Sequence, residues 1–241
     1  MEIINVKNNV EGGKVASEIL VKSICSKPRS VLGLATGSSP ESTYDALVES
    51  YRRGGVTFEY VKTVNLDEYV GLPTTSEQSY HFFMWKKFFS RVNIKAENTH
   101  IPNGMAENPE DECARYNELI ESLGGIDIQL LGIGHNGHIG FNEPSDTFAG
   151  GTHVVELTLS TIEANSRFFP SKNEVPSRAI TMGTEQIMRA KRIILLAFGK
   201  GKAEILHRAL RGEISPTCPA SILQNHKNLT VIADEDALSK M

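Results

Sequence analysis

Cysteine is scarce in this sequence: three occur among 241 residues, and none belongs to a CxxC pair. Small secreted domains need several closely spaced cysteines to hold their fold. Cys25, Cys113 and Cys218 are too few and too far apart for such a framework. A chain of this length can bury roughly three-quarters of its unfolded surface in one core, so it needs no disulfide or metal to fold. We therefore expect a protein of a reducing compartment.

Long apolar runs are also missing. The longest run covers residues 193–198, whereas a helix that crosses a bilayer needs about 20 apolar residues. The first residues, MEIINVKNNVEGG, have neither the basic start nor the apolar stretch of a signal peptide. These absences predict a cytoplasmic protein without a membrane partner.

The sequence has no excess of positive charge: 25 Lys+Arg stand against 29 Asp+Glu, a formal net charge of −4. A general nucleic-acid binder carries the opposite balance, so we expect no nucleic-acid partner. No period of about 20 to 50 residues repeats, which excludes a solenoid. With 40% hydrophobic and 22% charged residues, the composition is ordinary for a soluble globular protein.

Strand-like and helix-like stretches alternate along the whole chain. The strands are short and mostly apolar on both faces, which is typical of a parallel sheet covered on two sides. They are predicted at residues 2–6, 30–35, 61–66, 126–132, 154–157, 179–182, 192–198 and 229–233. Helices are predicted at residues 10–26, 40–53, 80–89, 109–123, 202–211 and 219–225. We predict one α/β domain over residues 1–241, with an open, mostly parallel, Rossmann-like sheet between two helical layers.

The first candidate site is the turn LATGSSP at residues 34–40, between a strand and a helix. Ser39 is predicted to cap the helix and Pro40 to be its first residue. Gly37, Ser38 and Ser39 offer backbone N–H groups at the positive end of the helix dipole, which favours an anion such as phosphate. No Gly-Lys-Ser/Thr follows, so this is not a Walker A loop. The alternative is a turn that only caps the helix.

The second candidate is Asp67, in the stretch NLDEY at the end of a predicted strand. Ligands of open α/β sheets bind outside the carboxyl ends of the strands. An aspartate at such a position can act as a general base if its surroundings tune it. A solvated turn that happens to carry two acids, Asp67 and Glu68, is the alternative.

The third candidate is GIGHNGHIGFNEP at residues 132–144, which follows another predicted strand. Gly132, Gly134 and Gly137 form a GxGxxG, and Glu156 lies some twenty residues on, as in a dinucleotide fingerprint. That fingerprint requires a helix directly after the turn. The glycines and prolines over residues 140–151 oppose a helix, so we reject a dinucleotide site.

Two histidines in this stretch suggest further chemistry. His135 and His138 could bind a metal together with Glu143 or Asp146, but their spacing fits no standard zinc pattern. His138 with Glu143 is better explained as an acid/base pair, in which the carboxylate orients and charges the imidazole. A turn that merely packs around a satisfied histidine is the alternative.

Two cations complete the candidates. Lys202 lies in a strand-to-helix turn, FGKGKA, where its ammonium can grip a phosphate. Arg167 lies in ANSRFF, within the least regular stretch of the chain, and such stretches are often binding loops or lids. Either residue alone can equally be a solvated surface charge. The aromatic run at residues 82–89 is best explained as core packing.

Taken together, these motifs resemble the glucosamine-6-phosphate deaminase (glucosamine-6-phosphate isomerase) family. The resemblance runs from Glu2 to about Asp234 and is carried by five stretches in order: LGLATGSSP, NLDEYVGL, GIGHNGHIGFNEP, ANSRFF and FGKGKA. It implies conversion of glucosamine 6-phosphate and water to fructose 6-phosphate and ammonia, by an aldose–ketose isomerisation that needs no cofactor and no metal. The implied partner is thus a small sugar phosphate.

The resemblance also implies roles for individual residues. Asp67 would move a proton between C2 and C1 through an enol intermediate. His138 would open the pyranose ring, with Glu143 as its partner. Residues 153–183 would form a lid over the substrate. The 6-phosphate would be held by Gly37, Ser38, Ser39, Arg167 and Lys202.

The sequence departs from the family pattern at two places. Asn136 stands where the family often has aspartate. An amide can hold the imidazole by a hydrogen bond but supplies no charge, so His138 would depend more on Glu143. The chain also stops at Met241, without the extension of the longer relatives that form allosteric hexamers. We expect a monomer or a small homo-oligomer.

Two other functions are compatible with the same pattern. A 6-phosphogluconolactonase-like hydrolase shares the fold and a similar Gly-His turn, although FNEP at residues 141–144 and NLDEYVGL fit the deaminase better. A sugar-phosphate-sensing module would keep the fold and lose catalysis. Such modules usually carry a basic DNA-binding segment, and the sequence has none.

Overall fold

The computed structural model describes residues 1–166, 169, 171 and 174–241. Ten strands are present in this part of the chain: β1 (Glu2–Val6), β2 (Val31–Leu34), β3 (Lys62–Asn65), β4 (Asp67–Tyr69), β5 (Thr99–His100), β6 (Ile128–Gly132), β7 (His153–Glu156), β8 (Arg178–Thr181), β9 (Arg192–Ala197) and β10 (Leu229–Asp234). Seven of them form one sheet in the order β1-β10-β9-β6-β2-β3-β5, and every neighbouring pair is parallel.

Helices cover both faces of this sheet, as predicted. Among the described residues they are α1 (Asn9–Ser26), α2 (Ser38–Arg52), α3 (Tyr80–Lys87), α4 (Pro109–Ser122), α5 (Leu159–Asn165), α6 (Thr184–Ile187), α7 (Ala203–Arg211) and α8 (Glu235–Leu238). One apolar cluster joins α1, α2 and α3 to the sheet, and a second joins α4, α6, α7 and α8 to the opposite face. Alternate residues of a strand enter different clusters: Leu130 packs in the first and Leu131 in the second. The predicted three-layer α/β fold is confirmed.

Local sequence signals account for several helix starts. The Asn8 side chain accepts hydrogen bonds from the N–H groups of Val10 and Glu11, and it begins α1. Asn108 does the same for α4, whose first residue is Pro109. These are the residue types that satisfy the unpaired N–H groups of a first turn.

The strand order reverses between β2 and β6. From β2 the chain proceeds to β3 and β5 on one side, and from β6 it proceeds to β9 and β10 on the other. The two connections leave the sheet in opposite directions, so a crevice opens between the carboxyl ends of β2 and β6. Ligands of open α/β sheets bind at this topological switch point. Residues 35–38, which follow β2, lie on one side of this crevice, and residues 133–138, which follow β6, lie on the other.

A second, antiparallel sheet lies beside the crevice, in the order β4-β8-β7. The sequence predicted one strand over residues 61–66, whereas the chain leaves the main sheet after Asn65 and starts β4 at Asp67. Asp67 is paired with Thr181, and Tyr69 with Ala179. The predicted lid, residues 153–183, therefore has a strand of this small sheet near each end: β7 at its start and β8 close to its last residue.

Some predicted boundaries are wrong. Helix α2 begins at Ser38, before Pro40, because Gly37 turns the chain earlier than a serine cap would. Helix α3 ends at Lys87, and a short 3-10 turn takes over at residues 89–91. Residues 219–225 form a 3-10 helix. Within the described residues, no helix is long and apolar enough to span a membrane.

Candidate active site

The turn after β2 leaves the start of helix α2 open. Gly37 has φ of 93°, a conformation that side chains other than glycine rarely adopt, and no side chain caps the helix among the described residues. The prediction that Ser39 caps the helix is therefore wrong. The N–H groups of Ser38 and Ser39 lie in the first turn, where the helix dipole attracts an anion. An uncapped first turn is suited to a phosphate.

Asp67 lies on the far side of the crevice and is only 6% exposed. Burial, followed by the neighbouring charge of Glu68, raises the pKa of its carboxyl to about 8. A Cβ on Gly140 would lie 3.5 Å from Asp67 Oδ2, so the loop after β6 passes directly over this carboxylate. A buried acid with a pKa near neutrality is suited to general-base work.

Glu68 has a different task. Its Oε1 accepts hydrogen bonds of 2.9 Å from the N–H groups of Tyr69 and Tyr80, and its Oε2 accepts one of 2.9 Å from His81. Tyr80 and His81 are the first residues of α3, so Glu68 fastens this helix to β4. The two adjacent acids of the NLDEY stretch therefore differ: Glu68 is a structural carboxylate, whereas the Asp67 carboxyl has no hydrogen-bond donor among the described residues.

Glycine at position 134 makes room for the His138 imidazole. A Cβ added to Gly134 would lie 2.2 Å from both Cε1 and Nε2 of the ring, which is impossible without moving it. The loop closes through a 2.9 Å hydrogen bond from the Gly134 N–H to the His138 carbonyl. Residues 133–152, all of which are described, contain no helix, as the glycines and prolines of this stretch predict.

Replacing Gly134 by alanine should displace the imidazole while leaving the fold intact. Misplacing a catalytic group by about 1 Å can cost up to about 10²-fold in rate, and we expect a loss of up to that size in kcat. Gly150→Ala is the matched control, because its Cβ would meet only Glu185 Oε2, at 3.7 Å. Steady-state turnover with circular dichroism checks both, and full activity of Gly134→Ala would contradict the ring placement.

Glu143 faces His138, as predicted. Its Oε1 lies 3.6 Å from His138 Nδ1, an ion-pair distance that is longer than a hydrogen bond. Burial alone would raise the pKa of Glu143, but His138, the Thr161 hydroxyl and the Asn136 amide together hold it at about 2. Glu143 is therefore ionised at every working pH and can stabilise a protonated imidazole.

Asn136 holds this pair differently from the prediction. Its amide donates to Glu143 Oε2, and its Oδ1 accepts a 3.2 Å hydrogen bond from the His138 main-chain N–H. The sequence placed its hydrogen bond on the imidazole ring. The side chain instead connects the carboxylate to the loop that carries the histidine.

Lys202 enters the crevice from the turn after β9. It is half-buried, and its Nζ donates a 2.7 Å hydrogen bond to the Ile133 carbonyl, at the carboxyl end of β6. Burial lowers the pKa of this ammonium. Asp234 fixes the turn by accepting hydrogen bonds of 2.9 and 3.0 Å from the Gly199 N–H.

The turns after β2, β6 and β9 therefore meet at one place. A Cβ on Gly132 would lie 3.6 Å from the Ser39 Cβ, and one on Gly201 would lie 3.7 Å from His135 Nε2. Together with the Lys202 contact to Ile133, these approaches gather the N-terminus of α2 and an ammonium beside the crevice. Arg167 lies outside the described residues, and its phosphate contact stays a prediction.

Tyr80 is a site residue that the sequence reading missed. Its hydroxyl donates to the Tyr69 hydroxyl at 3.5 Å, and burial together with the charges of Tyr69 and Asp67 raises its pKa well above the usual value. Its ring stacks on Phe141, with centroids 5.9 Å apart. A sequence signal exists, because Tyr80 starts the predicted helix at residues 80–89 and carries a polar end, but it lies outside the run at residues 82–89 that is interpreted as core.

Metal ligands do not gather in the described part of the chain. No group of three or more His, Cys, Asp or Glu side chains there is arranged to hold an ion. The His135 ring lies close to Gly201, a residue of the turn that carries Lys202. The two histidines therefore have different neighbours: His138 faces Glu143, and His135 faces the turn at residues 199–202.

A seven-stranded parallel sheet, an uncapped helix at its switch point and a buried carboxyl opposite a His–Glu pair define an α/β enzyme for an anionic substrate. The family model described as glucosamine-6-phosphate isomerases/6-phosphogluconolactonase matches residues 12–232. The chain belongs to this family.

Relatives and solved structures resemble the chain over its full length. It is 53% identical to a glucosamine-6-phosphate deaminase of Thermoanaerobacter sp. (strain X514), covering 99% of this chain and 94% of the relative. It is 53% identical to the deaminase of Lachnoclostridium phytofermentans, with 96% and 98% covered. The structure of a monomeric glucosamine-6-phosphate deaminase superposes with a TM-score of 0.97 at 46% identity, and both chains are covered completely. A 6-phosphogluconolactonase from Trypanosoma cruzi shares the fold, with a TM-score of 0.78 at 20% identity.

Proposed function

We propose that this protein converts glucosamine 6-phosphate and water to fructose 6-phosphate and ammonia. Relatives at about half identity over nearly the whole chain carry this activity in their names. The observation in the structure that supports it best is the placement of two separate proton-transfer groups at one crevice. Asp67 stands on one side, and His138 with Glu143 stands on the loop that passes over it. Ring opening and isomerisation need two such groups.

The phosphate binds first, at the N-terminus of α2. The N–H groups after Gly37 and the ammonium of Lys202 supply donors and positive charge there. Binding energy from this remote group holds C1 and C2 of the sugar between Asp67 and His138. Ser38, Ser39 and, from the sequence alone, Arg167 complete the proposed phosphate site.

Ring opening is assigned to His138. The imidazole takes the proton of the anomeric hydroxyl and returns one to the ring oxygen, so that the C1 aldehyde forms. Glu143 stabilises the imidazolium that exists between these transfers, since its own carboxyl stays ionised. Asn136 keeps the carboxylate in place.

Isomerisation and loss of ammonia follow. Asp67 takes the proton from C2 and later delivers it to C1, while a proton of the C2 amino group passes to the C1 oxygen. The double bond thus moves through an enol, and an imine remains at C2. Water adds to C2 and ammonia departs, which gives the ketose. With a pKa raised to about 8, Asp67 is basic enough to accept a proton from carbon and acidic enough to return it.

The test of this function is release of ammonia from glucosamine 6-phosphate. It should proceed faster than hydrolysis of a 6-phosphogluconolactone by the same preparation. Rapid lactone hydrolysis without ammonia release would favour the hydrolase, and binding without turnover would favour a sensing module. The lactonases among the solved structures share the fold at about 20% identity, which says nothing about substrate.

Lys202→Met should weaken recognition of the phosphate. The substitution removes the charge but keeps most of the stem, and a hydrogen bond to a charged group is worth about 10- to 100-fold. We expect kcat/KM for glucosamine 6-phosphate to fall by that factor, mainly through KM. Lys200→Met, an exposed position in the same turn, should change neither constant. Equal turnover of glucosamine and glucosamine 6-phosphate by the wild type would remove the phosphate site from the mechanism.

We expect the protein to work as a monomer. The solved relative that covers the chain completely is a monomeric deaminase. Light scattering coupled to gel filtration should give the mass of one chain, 26.5 kDa. In a kinetic assay, the rate should rise hyperbolically with substrate concentration. A hexamer with sigmoidal kinetics would contradict this expectation. We also propose a cytoplasmic location, the kind of compartment in which its three free cysteines stay reduced.

A further inference from the structure

The Glu143 carboxylate is held by two elements that are distant in sequence. Its Oε2 accepts from the Asn136 amide, on its own loop, and its Oε1 accepts from the hydroxyl of Thr161, on helix α5. Oε1 is the oxygen that faces His138 Nδ1, at 3.6 Å. The Glu143 side chain is only 11% exposed, so water cannot easily replace a lost donor.

Thr161 is itself fixed. It is 7% exposed, and its main-chain N–H donates a 3.2 Å hydrogen bond to Thr158 Oγ1, the cap of α5. The Thr158 hydroxyl donates to Thr161 Oγ1 at 3.1 Å. A carboxylate can only accept, so the single hydroxyl hydrogen of Thr161 goes to Glu143 and its lone pair takes the Thr158 hydrogen. The chain of donors has one direction, and each bond polarises the next.

Helix α5 is anchored beneath the same loop. Ile162, next to Thr161, packs against a small apolar cluster that contains Tyr69, Phe141 and Leu157. Phe141 lies two residues before Glu143, and Tyr69 lies two residues after Asp67. The packing of α5 therefore sets how close the Thr161 hydroxyl comes to the carboxylate.

We propose that Thr161 is a positioning residue for ring opening, which rests on the function proposed above. Its hydroxyl touches neither the phosphate turns nor Asp67; it holds Glu143 Oε1 toward the His138 imidazole. Helix α5 thereby contributes to catalysis through one hydrogen bond to a carboxylate.

Loss of the hydroxyl should affect one step only. Without it, the Asn136 amide is the one donor to Glu143 that is left in the described part of the chain, and the carboxylate can rotate away from His138. A hydrogen bond to a charged group is worth about 10- to 100-fold, so kcat on the cyclic substrate should fall by that factor. KM should change less than threefold, because the phosphate contacts are untouched.

Two substitutions at this position separate the hydroxyl from its packing. Thr161→Val keeps the β-branched shape and removes the donor, whereas Thr161→Ser keeps the donor and removes a methyl group. Thr57→Val is the control, since Thr57 is exposed in the segment that leads into β3 and belongs to no candidate site. We expect kcat to fall in Thr161→Val, to recover to near wild type in Thr161→Ser, and to stay unchanged in Thr57→Val.

The double variant Thr161→Val/Glu143→Gln tests the route of the effect. If Thr161 acts through Glu143, the double variant should be no slower than Glu143→Gln alone. Losses that multiply, or equal kcat in wild type and Thr161→Val, would overturn the proposal. Failure of the wild type to release ammonia would instead overturn the proposed function.

A spectroscopic measurement tests the contact without turnover. In protein with ¹³C-labelled glutamate carboxyl groups, the Glu143 resonance is identified by its loss in Glu143→Gln. It should shift in Thr161→Val and keep its wild-type position in Thr161→Ser. An unmoved resonance in Thr161→Val would show that the hydroxyl does not hold this carboxylate, and would also overturn the proposal.

Discussion

Asp67→Asn should abolish exchange of the C2 hydrogen of the substrate with solvent. The amide keeps the size and hydrogen-bonding shape of the side chain but has no basic form. General acid–base catalysis is typically worth about 10²- to 10⁴-fold, and here the same group serves both C2 and C1, so we expect a loss at the upper end or beyond. Turnover and loss of deuterium from C2-deuterated substrate measure it directly.

Asp45→Asn is the matched control for this substitution. Asp45 is exposed on helix α2, where it pairs with Arg91, and it is remote from the crevice. It should retain wild-type turnover. Exchange at the wild-type rate in Asp67→Asn would show that another group is the base.

The same substitution should change how stability depends on pH. Because the folded-state pKa of Asp67 is raised from 3.8 to about 8, the folded wild type loses free energy of unfolding as pH rises through that window. Asp67→Asn has no such loss. Denaturant unfolding should therefore find the variant equal to wild type near pH 4 and more stable by a few kcal/mol, in order of magnitude, above about pH 8.

Activity of the wild type should fall as pH drops below about 8, because the base becomes protonated.

Glu143→Gln should slow ring opening but spare the isomerisation step. The amide cannot stabilise an imidazolium, and its N–H₂ would meet a donor, either the Thr161 hydroxyl or the Asn136 amide. We expect kcat on the cyclic substrate to fall by about 10²- to 10³-fold. A fraction of the sugar opens spontaneously in solution, so this variant should keep more activity than Asp67→Asn.

The distinction between the two variants is measured by C2 exchange per turnover. In Glu143→Gln, every molecule that opens should still exchange normally, whereas in Asp67→Asn opened substrate should accumulate without exchange. Glu18→Gln, an exposed change on α1 outside every candidate site, should behave as wild type. Equal exchange defects in Glu143→Gln and Asp67→Asn would mean that the two groups do not serve separate steps.

The fold could be predicted from the sequence because the pattern of buried strands is local. Stretches such as residues 193–198 are apolar on both faces, and only a sheet covered on two sides buries both. The positions of Asp67, His138 and Glu143 followed from the rule that ligands meet the carboxyl ends of strands. Those three residues do lie around the crevice, Asp67 beside Gly140 and His138 opposite Glu143.

Features that depend on distant contacts could not be predicted. Nothing in NLDEYVGL reveals that Asp67 begins a new strand, since its partner Thr181 is more than a hundred residues away. Helix α2 begins at Ser38 because Gly37 adopts a positive φ. The serine and proline that follow, Ser39 and Pro40, are typical of a helix start and predicted a later one. The hydroxyl of Thr161 and the amide of Asn136 converge on Glu143 only in the folded chain.

The junction of the two sheets has a consequence for redesign of this enzyme. Leu66 is the single residue between β3 and β4, and β4 forms three antiparallel residue pairs with β8. The chain between β7 and β8 can thus be varied while both attachment points stay fixed, provided that it retains the Thr161 hydroxyl that holds Glu143 and the arginine at position 167. A chimera that keeps these two residues and changes the others would leave Asp67 in its strand pair, so substrate preference could be altered without rebuilding the reaction chemistry.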